Sequence, residues 1–119
     1  MLLTKQQLLT EITSNLGTQE ERKIARFEGY TEGILLYVDT CAMYNSFAAF
    51  ETAISYLKFN RGGWVIVQGY NTREQAVEGH EYWIKKLTTL PLPTSLFDVY
   101  LHVEFVATIE TQESTDDTN

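Results

Sequence analysis

Cysteine occurs once in these 119 residues, at Cys41, and histidine only twice, at His80 and His102. A single thiol cannot close an internal disulfide, and one Cys with two His gives no zinc framework, so neither a disulfide-stapled nor a metal-nucleated domain is expected. Basic residues are also scarce: nine Lys and Arg stand against 16 Asp and Glu, for a net charge of −7. They are scattered singly, which argues against a surface for the nucleic-acid backbone. No apolar run approaches the roughly 20 residues that span a bilayer. Met1 to Gln6 lack the basic start and long apolar region of a secretory signal, so no membrane association is expected, and the chain reads as intracellular or as part of a particle. The phosphate-binding pattern G-x-x-x-x-G-K-[ST], the dinucleotide pattern G-x-G-x-x-G and the metalloprotease pattern H-E-x-x-H are all missing, and no cofactor is expected.

What the chain does contain is apolar and aromatic: 44% hydrophobic residues, 13% aromatic. That suffices for one core, so residues 1–110 read as a single α+β domain and 111–119, acidic and without an apolar side chain, as a disordered tail.

The chain is organised around residues 64–87. Residues 64–68, Trp-Val-Ile-Val-Gln, are β-branched and aromatic and follow Asn60-Arg61-Gly62-Gly63, a turn signal, so they read as a strand. Thr72 then caps a helix starting at Arg73, with Gln75 three residues on reaching back to complete a capping box. Ala76, Val77, Trp83, Ile84 and Leu87 form the stripe that packs on a sheet. His80 falls at the edge of that stripe, as a hydrogen-bonded structural residue or as a ligand or acid/base group. Gly79, costly inside a helix, points to a close approach by a backbone or an aromatic ring, with Trp83 one turn along.

Before this stretch, Leu3, Leu8, Leu9, Ile12 and Leu16 recur at helical spacing, which predicts an N-terminal helix over residues 4–15. Residues 24–28 and 34–39 predict an antiparallel hairpin around the loop 29–33. The second of these strands is apolar throughout, as for a central strand covered on both sides or by a second subunit. Residues 40–48 read as a loop whose Met43, Tyr44 and Phe47 form a contact surface or fold over the end of the core. Residues 50–59 fit both a helix and a strand; the following turn favours a strand. Pro91 and Pro93 end the helix region, and Phe97, Val99, Leu101, Val103, Phe105 and Ala107 alternate with polar residues as one long half-buried strand whose other face carries Tyr100, His102 and Glu104. The sum is an α+β fold: a mostly antiparallel sheet of about five strands, one main helix packed on a face, and an N-terminal helix.

Glu51-Thr52-Ala53, the strand Trp64 to Val67, and Tyr70-x-Thr72-x-Glu74-x-Ala76-x-x-Gly79-His80-x-x-Trp83 together resemble a group of small, uncharacterised tailed-phage proteins. The resemblance covers roughly residues 34–87. It implies a phage origin, hence a place in the host cytoplasm or the virion, and brings no chemistry with it.

An enzyme would have to draw on Glu51, Asp39, His80, His102 or Cys41. Glu51 and Asp39 would have raised pKa values if buried, and Cys41 could act as a nucleophile only if the fold brought His80 or His102 beside it. Without a recognisable constellation, the sequence favours a protein that binds a host or phage protein. The candidate contacts are Met43, Tyr44, Phe47, Tyr70, His80 and Trp83. A virion component, or a small-molecule pocket lined by Trp64, Tyr70, His80 and Trp83, are the alternatives. A homodimer is expected, because a small sheet with one main helix leaves a face to cover.

Overall fold

In the computed structural model, which describes residues 23–43 and 48–108, four strands form an antiparallel meander: β1 (Lys23–Thr31), β2 (Ile34–Ala42), β3 (Phe50–Tyr56) and β4 (Val65–Tyr70), in the spatial order β1-β2-β3-β4. The helix α1 (Arg73–Thr88) crosses one face, and a separate hairpin, β5 (Ser95–Asp98) with β6 (Val103–Val106), completes the fold. The architecture is α+β, with four strands plus two in place of a single sheet of five. The predicted N-terminal helix and the acidic tail lie outside the described residues.

The β1–β2 connection is tighter than the sequence suggested. Only Glu32 and Gly33 form the turn, both left-handed at φ 53° and 78°, as a two-residue hairpin turn requires. Gly29, Tyr30 and Thr31 belong to the strand. Gly29 pairs with Leu36, and a Cβ there would collide with the Phe27 ring, which lies over it. The predicted loop 40–48 also loses its first three residues to β2.

Alternation along β2 and β3 sends Leu36, Val38, Thr40, Thr52, Ile54 and Tyr56 to one face, where all are buried. The core gathers these apolar residues with Val65, Val67, Phe59, Leu87 and Leu96. Strand β3 stops at Tyr56, and Phe59 turns inward instead of extending it. Asn60, Arg61 and Gly62 then take left-handed conformations and lead into β4. Strand β2 is covered on one face only: Leu35 is part-exposed, and the second cover expected over Tyr37 and Asp39 is lacking among the described residues.

Thr72 caps α1 as expected, its hydroxyl accepting from Gln75 N at 3.1 Å. The reciprocal arm of the box lands one residue early, since Gln75 Oε1 accepts from Asn71 N at 3.0 Å. The buried stripe is Ala76, Gly79, His80 and Leu87, with Trp83 and Ile84 partly covered; Val77 is 45% exposed. The stripe is rotated because Gly79, lacking a side chain, presses against Tyr70 and pulls His80 to the centre of the interface.

The long terminal strand is not formed. Asp98 breaks it: its Oδ1 accepts from Tyr100 N (3.0 Å) and Leu101 N (2.7 Å), and its backbone oxygen accepts from His102 N (2.8 Å). This is the side-chain turn that Asp favours, closed by a left-handed His102. The inward set of β5 is therefore Leu96 and Asp98, while Phe97, Leu101 and Val103 are exposed. Asp98 Oδ2 also accepts from Ile66 N at 3.1 Å, and Val99 N donates to Ile66 O at 2.9 Å, which ties the hairpin to β4.

Candidate functional site

Beneath α1 runs a line of buried hydroxyls. Thr40 Oγ1 lies 2.7 Å from His80 Nδ1 and 2.6 Å from Thr52 Oγ1, which in turn is 2.9 Å from the Tyr70 hydroxyl. Tyr70 reaches Gln68 Oε1 at 3.5 Å, and the same oxygen accepts from Trp83 Nε1 at 2.8 Å. An indole N–H can only donate, so the Gln68 atom facing it is the carbonyl oxygen. That oxygen only accepts, so the line has one polarity: His80 Nδ1–H donates to Thr40, Thr40 to Thr52, Thr52 to Tyr70 and Tyr70 to Gln68. Burial holds the His80 pKa below its ordinary value, against the opposing pull of Glu81 and Asp39. Burial likewise raises the Tyr70 phenol, partly offset by the neighbouring Thr52 hydroxyl and Trp83 N–H.

The line ends at the surface in an open cleft of about 790 Å³ between β4 and α1. Gln68, Tyr70, Gln75, Glu78, Tyr82 and Trp83 line it together with Val67, Gly69 and Gly79, and among these described residues Glu78 alone is charged. Two hydrogen-bonded or stacked contacts hold its aromatic wall. Trp83 is pinned by Gln68, and Tyr82 meets it edge-on, with centroids 5.2 Å apart at 88°. Tyr82 itself is half exposed.

A second polar feature lies on the opposite face of the sheet. Glu51 is buried beside Gly69 and Cys41 in the register, and its Oε1 has no hydrogen-bond partner. Desolvation raises its pKa, and the nearby Asp98 carboxylate adds to the rise. The buried carboxylate anticipated from the sequence is thus Glu51. Asp39 is instead paired with Lys23 at 3.0 Å and Arg26 at 3.6 Å.

Of the predicted contact residues, Tyr70 and Trp83 meet in the cleft. His80 lies beneath it, 5% exposed, with its Nδ1 on Thr40. Met43 is half-buried; its N–H donates to Ala49 O at 2.8 Å, and its sulfur lies 3.9 Å from Cys41 Sγ. Tyr44 and Phe47 lie outside the described residues. Trp64, placed by the sequence in a pocket with Tyr70 and Trp83, sits on the other face of the sheet beside Tyr37. The Cys–His arrangement is not formed: alternation puts Cys41 on the face away from Thr40 and His80, and His102 packs on Phe97 in the hairpin turn. Gln68, Glu78 and Tyr82 were missed. Tyr82, an aromatic off the helical stripe, was the signal that could have found the cleft.

Fold and cleft define a class: an α+β protein whose described residues hold one α-helix and an aromatic-walled surface cleft lined by one carboxylate. No protein-family model matches the chain, and no curated protein or solved structure matches it either. Among the described residues no three His, Cys, Asp or Glu side chains stand together as a metal ion would require, and no helix is long and apolar enough to cross a membrane.

Proposed function

We propose that this is a small phage-encoded accessory protein that acts by binding another protein, and that the cleft between β4 and α1 takes a basic segment of that partner. The observation that carries the reading is the cleft lining: a fixed Trp83–Tyr82 wall with Glu78 as the one charge among the described residues, on a chain of net charge −7. Aromatic faces beside a carboxylate suit an Arg or Lys side chain, which gains both a cation–π contact and an ion pair. Tyr70, Gly79 and Trp83, three residues of the phage-protein pattern, all line this cleft, and that supports joining the two readings.

The test is a fluorescence titration in a Trp64→Phe background, so that Trp83 alone reports, with an Arg/Lys-rich peptide and its Glu-substituted counterpart. Saturable quenching by the basic peptide alone is expected. Glu78→Gln or Tyr82→Ala should each weaken it by about 5-fold, the equivalent of roughly 1 kcal/mol. Failure of the basic peptide to bind, or binding indifferent to Glu78→Gln, overturns the assignment.

A further inference from the structure

The face of the sheet turned away from α1 has no cover over most of its area among the described residues. Arg26, Glu28 and Tyr30 of β1 stand opposite Asp39, Tyr37 and Leu35 of β2, so all six share this face. Tyr30 is 71% exposed, Trp64 44% and Leu35 37%. The Arg26 guanidinium lies over the Tyr37 ring, 5.1 Å from its centroid, and 5.9 Å from that of Trp64. An apolar and aromatic surface is thus held in place around a cation.

We infer that this face is the contact between two copies of the chain, packed sheet to sheet about a two-fold axis. Charge selects that occupant. The accessible charges of this face, Lys23, Arg26, Glu28 and Asp39, sum to zero, its remaining carboxylate Glu51 being buried, whereas the whole chain carries −7. Two such acidic chains repel least where their facing surfaces are neutral, and a two-fold contact turns each copy's cations toward the other's anions. Glu28 is exposed and makes no ion pair among the described residues, which leaves it available to a partner's Arg26. A basic partner would instead meet Lys23 and Arg26, and an acidic one Glu28 and Asp39. Area sets the strength. Four strands about 4.8 Å apart and about 25 Å long give a footprint of roughly 480 Å² before corrugation. This approaches the roughly 600 Å² per partner at the low end of specific interfaces, so the dimer should be reversible and not obligate.

Sedimentation velocity on the full chain across the micromolar range tests the assignment. The expected result is a monomer–dimer equilibrium in which Tyr30→Glu and Trp64→Glu each weaken association by ~10-fold or more, while Tyr82→Glu, on the helix side, leaves it unchanged. Both altered residues are substantially exposed, and circular dichroism of each variant is the check that it folds. Arg26→Glu weakens the dimer, and the exchange Arg26→Glu with Glu28→Arg restores it. A wild-type chain that stays monomeric throughout, as it would if another segment of the same chain covered the face, overturns the inference. So does a dimer insensitive to both Tyr30→Glu and Trp64→Glu.

Discussion

Gly79 shows how one missing side chain can position a site. In an ordinary helix, Gly to Ala is worth about 1 kcal/mol of stabilisation. Here a Cβ would enter the space of the Tyr70 ring and hydroxyl, which are themselves held by Thr52 and the strand. Overpacking of this kind costs about 1–3 kcal/mol, so Gly79→Ala should be net destabilising by urea denaturation. In a Tyr70→Ala background the same change should become stabilising. A cycle with the same sign in both backgrounds would place the strain elsewhere. Glu51 and His80 make a pH prediction with opposite signs. The folded chain holds the Glu51 proton above its ordinary pKa of 4.5, so stability falls as pH rises from there through the folded value, and the full cost persists above it. His80 is depressed below 6.5, so its contribution is present above that pH and is lost as pH falls through the folded value. Glu51→Gln should abolish the loss on the alkaline side and leave the acid-side loss in place. Thermal melts from pH 5 to 8 read this directly, and superimposable wild-type and variant profiles would exclude Glu51 as the source.

Among the elements, α1 and the last two strands differ in how far local sequence could specify them. The helix carries its own start signal in Thr72 and Gln75, so its existence and first residue were legible. Its rotation was not, because Val77 is as apolar as the buried positions and only the Tyr70–Gly79 contact decides which of them faces inward. The hairpin β5–β6 was hidden by a period-two pattern that runs uninterrupted through its turn. What divides it is Asp98, whose carboxylate serves three backbone N–H groups, two in the turn and one on β4. Asp98→Ala would leave all three without their acceptor and should cost about 3 kcal/mol in urea denaturation, with Asp98→Asn losing less because one acceptor oxygen remains. Equal losses for the two variants would mean that charge, and not the number of acceptors, is what the turn requires.

At the scale of the whole molecule, the helix divides the surface into two kinds of face. Among the described residues, the cleft on the helix side is bordered by Glu78 and an aromatic wall, and on the far side the sheet presents an aromatic surface around Arg26. Because the sheet separates them, pairing through the far side leaves both clefts directed outward. A reversible dimer could then engage two basic segments at once, gaining avidity without any new contact. The same separation makes the peptide titration and the sedimentation experiment independent, since Tyr82 and Glu78 belong to one face and Tyr30 and Trp64 to the other.

Composition and local sequence by themselves determined the α+β class, the helix cap at Thr72 and the presence of an aromatic region around Tyr70 and Trp83, while the pairing of β3 with β4 was favoured by the turn at Asn60 to Gly63 and left open by periodicity. These features follow from local physics: which side chains suit a pleat, which hydroxyl can cap a helix, where glycine relieves a turn. Tertiary structure alone decided that His80 sits in a buried hydroxyl line, that Trp64 and Trp83 occupy opposite faces, and that Gln68, Glu78 and Tyr82 join the cleft. Each of those outcomes depends on contacts between residues distant in sequence, such as Thr40 with His80 or Gln68 with Trp83, and a periodic pattern gives direction only relative to its own strand or helix.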